Sequence, residues 1–146
     1  MTNTMTEFFG EVIHAYTQAD AIRDGVIVPI ADHLREEAGI NWPVLMTQAA
    51  HADTIVWTTE DEKRKGFTGQ DEVGRTWDVL NMARIALFAY SRRQPEAIPG
   101  DRVPFQLYRV KREGRGTLPR RVVLHAVVSS ADDGSPCFTI QLPHES

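Results

Sequence analysis

Apolar and polar residues follow two different periods along this chain, and the change falls near residue 100. Between residues 75 and 92, Trp77, Leu80, Met82, Ile85, Ala86, Phe88 and Ala89 are broken mainly by Asp78, Asn81 and Arg84. Apolar positions on nearly every side predict a helix over 75–92 that sits at the centre of the fold. Pro95, Pro99 and Gly100 then mark a loop over 91–101. After it the period becomes two. Val103, Phe105, Leu107 and Arg109 alternate with Pro104, Gln106, Tyr108 and Val110, as in a strand with one buried face. Glycine-rich turns at 113–116 and 132–136 separate two further strands, over 121–129 and 137–142. In the last of these Phe138, Ile140 and Leu142 share the face expected to cover the long helix.

The first half predicts shorter elements. Residues 12–16 are rich in strand formers. Thr17 and Asp20 have the spacing of a capping box, which opens a helix over 19–24 closed by Gly25. Residues 26–30 read as a strand, with Pro29 withholding one ladder bond. A helix over 32–38 stops at Gly39, and 40–46 is extended because Pro43 pushes Trp42 out of helical geometry. Thr47 caps a helix over 48–57. The charged run 60–66 reads as a solvated, mobile connector. The resulting expectation is one α+β domain over 1–146, with an antiparallel C-terminal β-meander packed on a long central helix and short N-terminal strands and helices.

Length and composition fit that reading. The chain has 146 residues, 42% hydrophobic and 25% charged, as an ordinary globular domain does. Cys137 is its one cysteine, so an internal disulfide is excluded and a reducing compartment is expected. The N-terminus lacks a basic region followed by an apolar run, and no stretch nears the ~20 apolar residues of a membrane helix. The expected location is the cytoplasm, with no membrane partner.

Charge is divided unevenly. Residues 1–80 carry fourteen acids and six bases, whereas residues 81–146 carry six acids and ten bases. Lys111, Arg112, Arg115, Arg120 and Arg121, with Arg102 and Arg109, concentrate the bases in the hairpin 102–121. Such asymmetry serves nucleic acid or an acidic partner, or else it docks one half of the chain on the other. Bases on an exposed strand edge also prevent edge-to-edge aggregation.

Candidate chemistry is sparse. The five histidines, at 14, 33, 51, 125 and 144, include no pair at helical metal-ligand spacing. No cofactor or metal is implied, and no catalytic residue is assigned. The densest functional cluster is Gln70, Asp71, Gly74, Arg75 and Asp78 at the start of the long helix. A glycine, free N–H groups and a planar guanidinium are the ingredients of a nucleotide or phosphate site. The same residues also make an ordinary capped helix start. Tyr16, Tyr108 and Arg109 complete the candidates for a ligand or partner site, with Phe105 and Tyr108 available to stack on nucleic acid bases.

Several blocks fall in a fixed order: Phe8-Phe-Gly-Glu11, Tyr16-Thr17, Ala21-Ile-Arg-Asp-Gly25, Pro43-Val44 with Thr47, and Trp57. They continue with Gln70-Asp71, Gly74-Arg75, Trp77-Asp78-Val-Leu80, Pro104-Phe-Gln-Leu-Tyr-Arg-Val110, Asp133-Gly-Ser-Pro136 and Thr139-Ile140. In these blocks, spread over nearly the whole chain, it resembles a family of small bacterial proteins of plasmids, integrated elements and phage, known only as a domain of unknown function. Gln18 stands where that family usually has Arg. The resemblance carries no catalytic assignment. It implies an accessory protein of mobile DNA, for which a non-enzymatic inhibitor of a host protein in counter-defence is the expected role. Nucleotide binding at Gly74 and Arg75, and nucleic-acid binding by the hairpin, are the alternatives.

Overall fold

The capping box at Thr17 forms as its spacing predicts. In the computed structural model, which describes residues 16–146, the Thr17 hydroxyl accepts from the Asp20 N–H (3.0 Å) and the Asp20 carboxylate accepts from the Thr17 N–H (3.2 Å). This opens helix α1, Gln18–Arg23. The Asp132 carboxylate clamps its first turn by accepting from the Gln18 and Ala19 N–H groups. The strand expected over 12–16 falls outside the described residues except for Tyr16, which is exposed and in no regular element.

Strand β1, Ile27–Pro29, lies at one edge of the sheet, where a proline costs least. Helix α2, Asp32–Glu37, follows. Strand β2, Val44–Thr47, is shorter than the extended segment expected from residue 40. Its Val44, Leu45 and Met46 are all buried, because it is an interior strand covered on both faces. Thr47 then caps helix α3, Gln48–Thr54, through the Ala50 N–H (3.2 Å). This helix ends three residues short of the expected 57.

The charged run 60–66 is not a loose connector. Its residues 60–64 belong to helix α4, Thr59–Arg64, opened by a second capping box between Thr58 and Asp61 and closed by Lys65. The long helix α5, Glu72–Arg93, begins earlier than expected, with Asp71 as its N-cap. The three final strands are β3 (Arg102–Arg109), β4 (Arg120–Ser130) and β5 (Pro136–Gln141).

The strand order is β1-β2-β5-β4-β3. The expected meander β3-β4-β5 is antiparallel, but β2 joins β5 in parallel, with Val44 opposite Phe138 and Met46 opposite Ile140. Helix α5 packs on one face of this five-stranded sheet. Val79, Leu80, Ala83 and Leu87 meet Met46, Phe105, Leu107, Leu124, Ala126 and Ile140 in one core. Phe138 and Leu142 border that core beside Ile140, as their shared face predicts. Full burial of a side chain such as Leu80 contributes about 1.5–3 kcal/mol. Helix α5 is not enclosed on all sides, however. Met82, Ile85 and Phe88 are exposed, because only one of its faces meets the sheet.

Candidate functional site

The cluster at the start of α5 is engaged by the protein itself. Asp71 Oδ1 accepts from the Gly74 N–H at 2.6 Å. A Cβ at Gly74 would lie 3.2 Å from that oxygen, so the glycine makes room for the cap. Arg75 is buried. Its Nε donates to the Ile55 carbonyl (3.1 Å), and Nη1 donates to Gln70 Oε1 (3.0 Å) and the Val110 carbonyl (3.0 Å). The guanidinium also lies 4.8 Å from the centroid of a Trp57 ring. Burial, reinforced by neighbouring Arg109, lowers its pKa from the usual arginine value. Nη2 has no hydrogen-bond partner among the described residues. Arg75 thus ties α5 to the end of α3 and to the residue after β3.

The opposite charges of the two halves meet beside it. Arg109 is buried and pairs with Asp53 at 2.7 Å, while its Nη1 donates to the Arg120 carbonyl. Arg112 Nε donates to Asp61 at 2.8 Å, and Arg64 Nη2 donates to the same carboxylate at 3.0 Å. Lys65, also buried, donates to the carbonyls of Glu113 (3.1 Å) and Gly116 (2.6 Å). A hollow of about 290 Å³ lies over these pairs, lined by Asp53, Arg109, Lys111, Arg112 and Glu113 among others. Carboxylates and bases share it, so it does not select for an anion. Two of the hairpin's bases, Arg109 and Arg112, are therefore spent on docking one half of the chain on the other.

The structure brings Gln70, Arg75 and Arg109 into this one network, with Arg112 at its rim. It does not bring Tyr16 or Tyr108 there, and Asp78, one turn on from Arg75, only borders it: partial burial raises its carboxyl pKa and the Arg75 charge partly offsets that. Tyr16 donates to Asp24 at 3.2 Å beside α1. Asp78 is exposed on α5. Tyr108 is exposed on the outer side of β3, opposite Arg121 in the strand register. Lys111, Arg115, Arg120 and Arg121 are exposed. Among the described residues no three His, Cys, Asp or Glu side chains are grouped to hold a metal ion. No helix among them is long and apolar enough to cross a membrane.

A larger concavity lies elsewhere, in a region with no sequence motif. A groove of about 730 Å³ runs between the C-terminal half of α5 and the turn after α2. Gly39 makes that turn through a left-handed backbone, with φ of 86°, which favours glycine, and it faces the Arg84 side chain of α5. Trp42 and Phe138, with ring centroids 4.9 Å apart, form an aromatic wall. Leu87, Phe88 and Tyr90 line the groove from α5, and Asn41, Arg84 and Gln94 supply polar groups. Trp42 and Phe138 were legible only as apolar positions, because their pairing depends on β2 lying beside β5. The chain is thus an α+β protein with a mixed five-stranded sheet, a groove with an aromatic wall and a polar margin, and no assembled catalytic constellation among the described residues. Comparison with protein-family models, with curated proteins and with solved structures finds no match.

Proposed function

We propose that this chain is a non-enzymatic binding protein that docks on a partner protein through the groove between α5 and the turn at Gly39. The observation that carries the proposal is the groove itself, with its Trp42–Phe138 wall, the exposed ring of Phe88 and a polar margin that includes Arg84. Apolar concavities with a few convergent polar groups receive a side-chain anchor from a partner. The occupant is a protein segment presenting a large aliphatic or aromatic residue. The mobile-element resemblance suggests a host protein as the partner and counter-defence as the setting.

The nucleotide alternative at Gly74 and Arg75 has less support. Asp71 occupies the Gly74 N–H, and three of the guanidinium's hydrogen bonds go to Ile55, Gln70 and Val110. The test is capture from host lysate by the wild-type chain and by Ser91→Trp, which fills the groove from the exposed side of α5. The wild type should retain a defined protein, and the variant should lose it about tenfold or more. Equal capture by both, or capture of nothing by the wild type, would overturn the proposal.

A further inference from the structure

A second row of α5 points away from both the core and most of the groove. Asp78, Met82, Ile85, Ala89 and Arg92 are spaced four, three, four and three residues apart, which is the spacing of a seam between two helices. All five are exposed; Ile85 retains 53% of its accessible surface, and Phe88, beside the row, retains 61%. The inner face of α5 already supplies the core contacts through Val79, Leu80, Ala83 and Leu87. This outer strip is therefore an apolar surface that the described residues leave uncovered.

We infer that a second copy of this chain covers it, with the two α5 helices antiparallel about a two-fold axis at Ile85. In a two-fold interface each contact appears twice with its members exchanged. A crossing at Ile85 sets that residue against its own copy and Met82 against Phe88. It also sets Asp78 of each copy against Arg92 of the other, since both lie seven residues, or ~10 Å, from the crossing. Neither Asp78 nor Arg92 forms an ion pair among the described residues. The Arg92 guanidinium already lies over the Phe88 ring, 5.9 Å from its centroid, so it is held beside the strip. A parallel pairing would oppose Asp78 to Asp78 and Arg92 to Arg92. Charge therefore selects the antiparallel register, which also opposes the two helix dipoles favourably. Ala89 leaves room for close approach. The strip carries its own charge complement in two-fold register, which is the argument for a second copy over a foreign protein.

The test is the mass of the full chain in solution as a function of concentration, up to about 100 µM. The wild type should reach twice the monomer mass. Ile85→Glu should weaken the dimer about a hundredfold or more, with an unchanged circular dichroism spectrum because Ile85 packs nothing in the core. Asp78→Arg should weaken it about tenfold by facing Arg92, and the exchanged double variant Asp78→Arg/Arg92→Asp should restore it. Restoration separates an interface contact from a folding defect. A wild type monomeric throughout, an Ile85→Glu dimer of undiminished affinity, or a double variant no tighter than Asp78→Arg would each overturn the inference, as would a foreign protein bound on this strip of a monomer. Ser91→Trp lies on the groove side of α5 and should leave the dimer intact, so failure of one proposal is distinguishable from failure of the other.

Discussion

Replacing Asp61 with asparagine removes one negative charge from the point where the two halves of the chain are joined, and its cost follows from four contacts. The carboxylate accepts from the Thr58 N–H (2.8 Å), Arg112 Nε (2.8 Å) and Arg64 Nη2 (3.0 Å), and the Asp61 N–H returns a bond to the Thr58 hydroxyl (3.0 Å). Asparagine keeps the shape, and its amide oxygen can still accept from Thr58, so the helix cap survives. What is lost is the charge facing two arginines. Both reach water, with side-chain exposures of 47% for Arg64 and 32% for Arg112. Each pair is therefore worth well under a buried ion pair, about 0.2–1 kcal/mol for a solvated contact and up to about 1.5–3 kcal/mol for a charged hydrogen bond to a buried oxygen. The expected net loss is about 1–3 kcal/mol. With a urea dependence of ~1–3 kcal/mol per molar, the unfolding midpoint should fall by about 1 M at pH 7.

The pH dependence supplies a second check. Burial pushes the Asp61 carboxyl up, but the Thr58 N–H, Arg112, the Thr58 hydroxyl and Arg64 together outweigh it and hold it well below the usual carboxylate range. A group with a depressed folded pKa binds its proton first in the unfolded chain, at about 3.9. Its stabilisation is present above that value and declines as pH falls toward the folded pKa. Asparagine has no such dependence, so the gap between wild type and variant should narrow from about pH 4 downward. Coincident midpoints at pH 7, or a gap undiminished at about pH 3, would refute the account of Asp61 as a charged tie.

Arg75→Ala should cost about 3–5 kcal/mol in urea unfolding, because the buried Ile55 and Val110 carbonyls lose their donor; a loss under ~1 kcal/mol would show that water replaces it. His51 should titrate below about 6.5, since burial lowers its pKa and Glu72 only partly offsets that. Its neutral form is favoured in the fold, so stability should fall as pH drops from above 6.5 toward the folded value. An NMR midpoint at or above 6.5 would contradict this. The buried Cys137 thiol is raised by burial, with the Gln18 amide opposing weakly. Disulfide reagents should modify it only as the chain opens, at least about a thousandfold slower than in denaturant, and labelling in native buffer within seconds would refute it.

Local chemistry was the legible part of the fold. Thr17 and Asp20, Thr47, and the alternation from Val103 to Arg109 each specified an element from its own residues. Helix α4 was missed although Thr58 and Asp61 repeat the Thr17–Asp20 spacing, because Glu60 to Lys65 offers no apolar period to mark a buried side. What fixes that helix is distant in sequence: Arg112 on Asp61, and the Glu113 and Gly116 carbonyls on Lys65. The same distance hid the environment of Arg75. A guanidinium behind a glycine at a helix start reads locally as an open donor, whereas the carbonyls of Ile55 and Val110 close around it. Helix α5 misled in another way. Apolar residues on several sides imply enclosure when every side has a neighbour, but here only one side meets the sheet.

That leftover apolar surface carries a further consequence through Phe88, which lines the groove and also flanks the Asp78–Arg92 row. If a second copy packs on the row, it restricts the Phe88 ring that a partner segment in the groove must also contact. The two associations then cannot be independent, since each fixes a side chain that the other needs. Coupling of this kind is reciprocal: any change in groove affinity caused by dimerisation must equal the change in dimer affinity caused by a groove ligand. Its sign depends on whether the ring position set by Met82 of the opposing copy narrows the groove toward Trp42 or opens it. A small α+β domain with one shared aromatic can in this way make capture of a partner depend on its own oligomeric state, without any moving part beyond a single side chain.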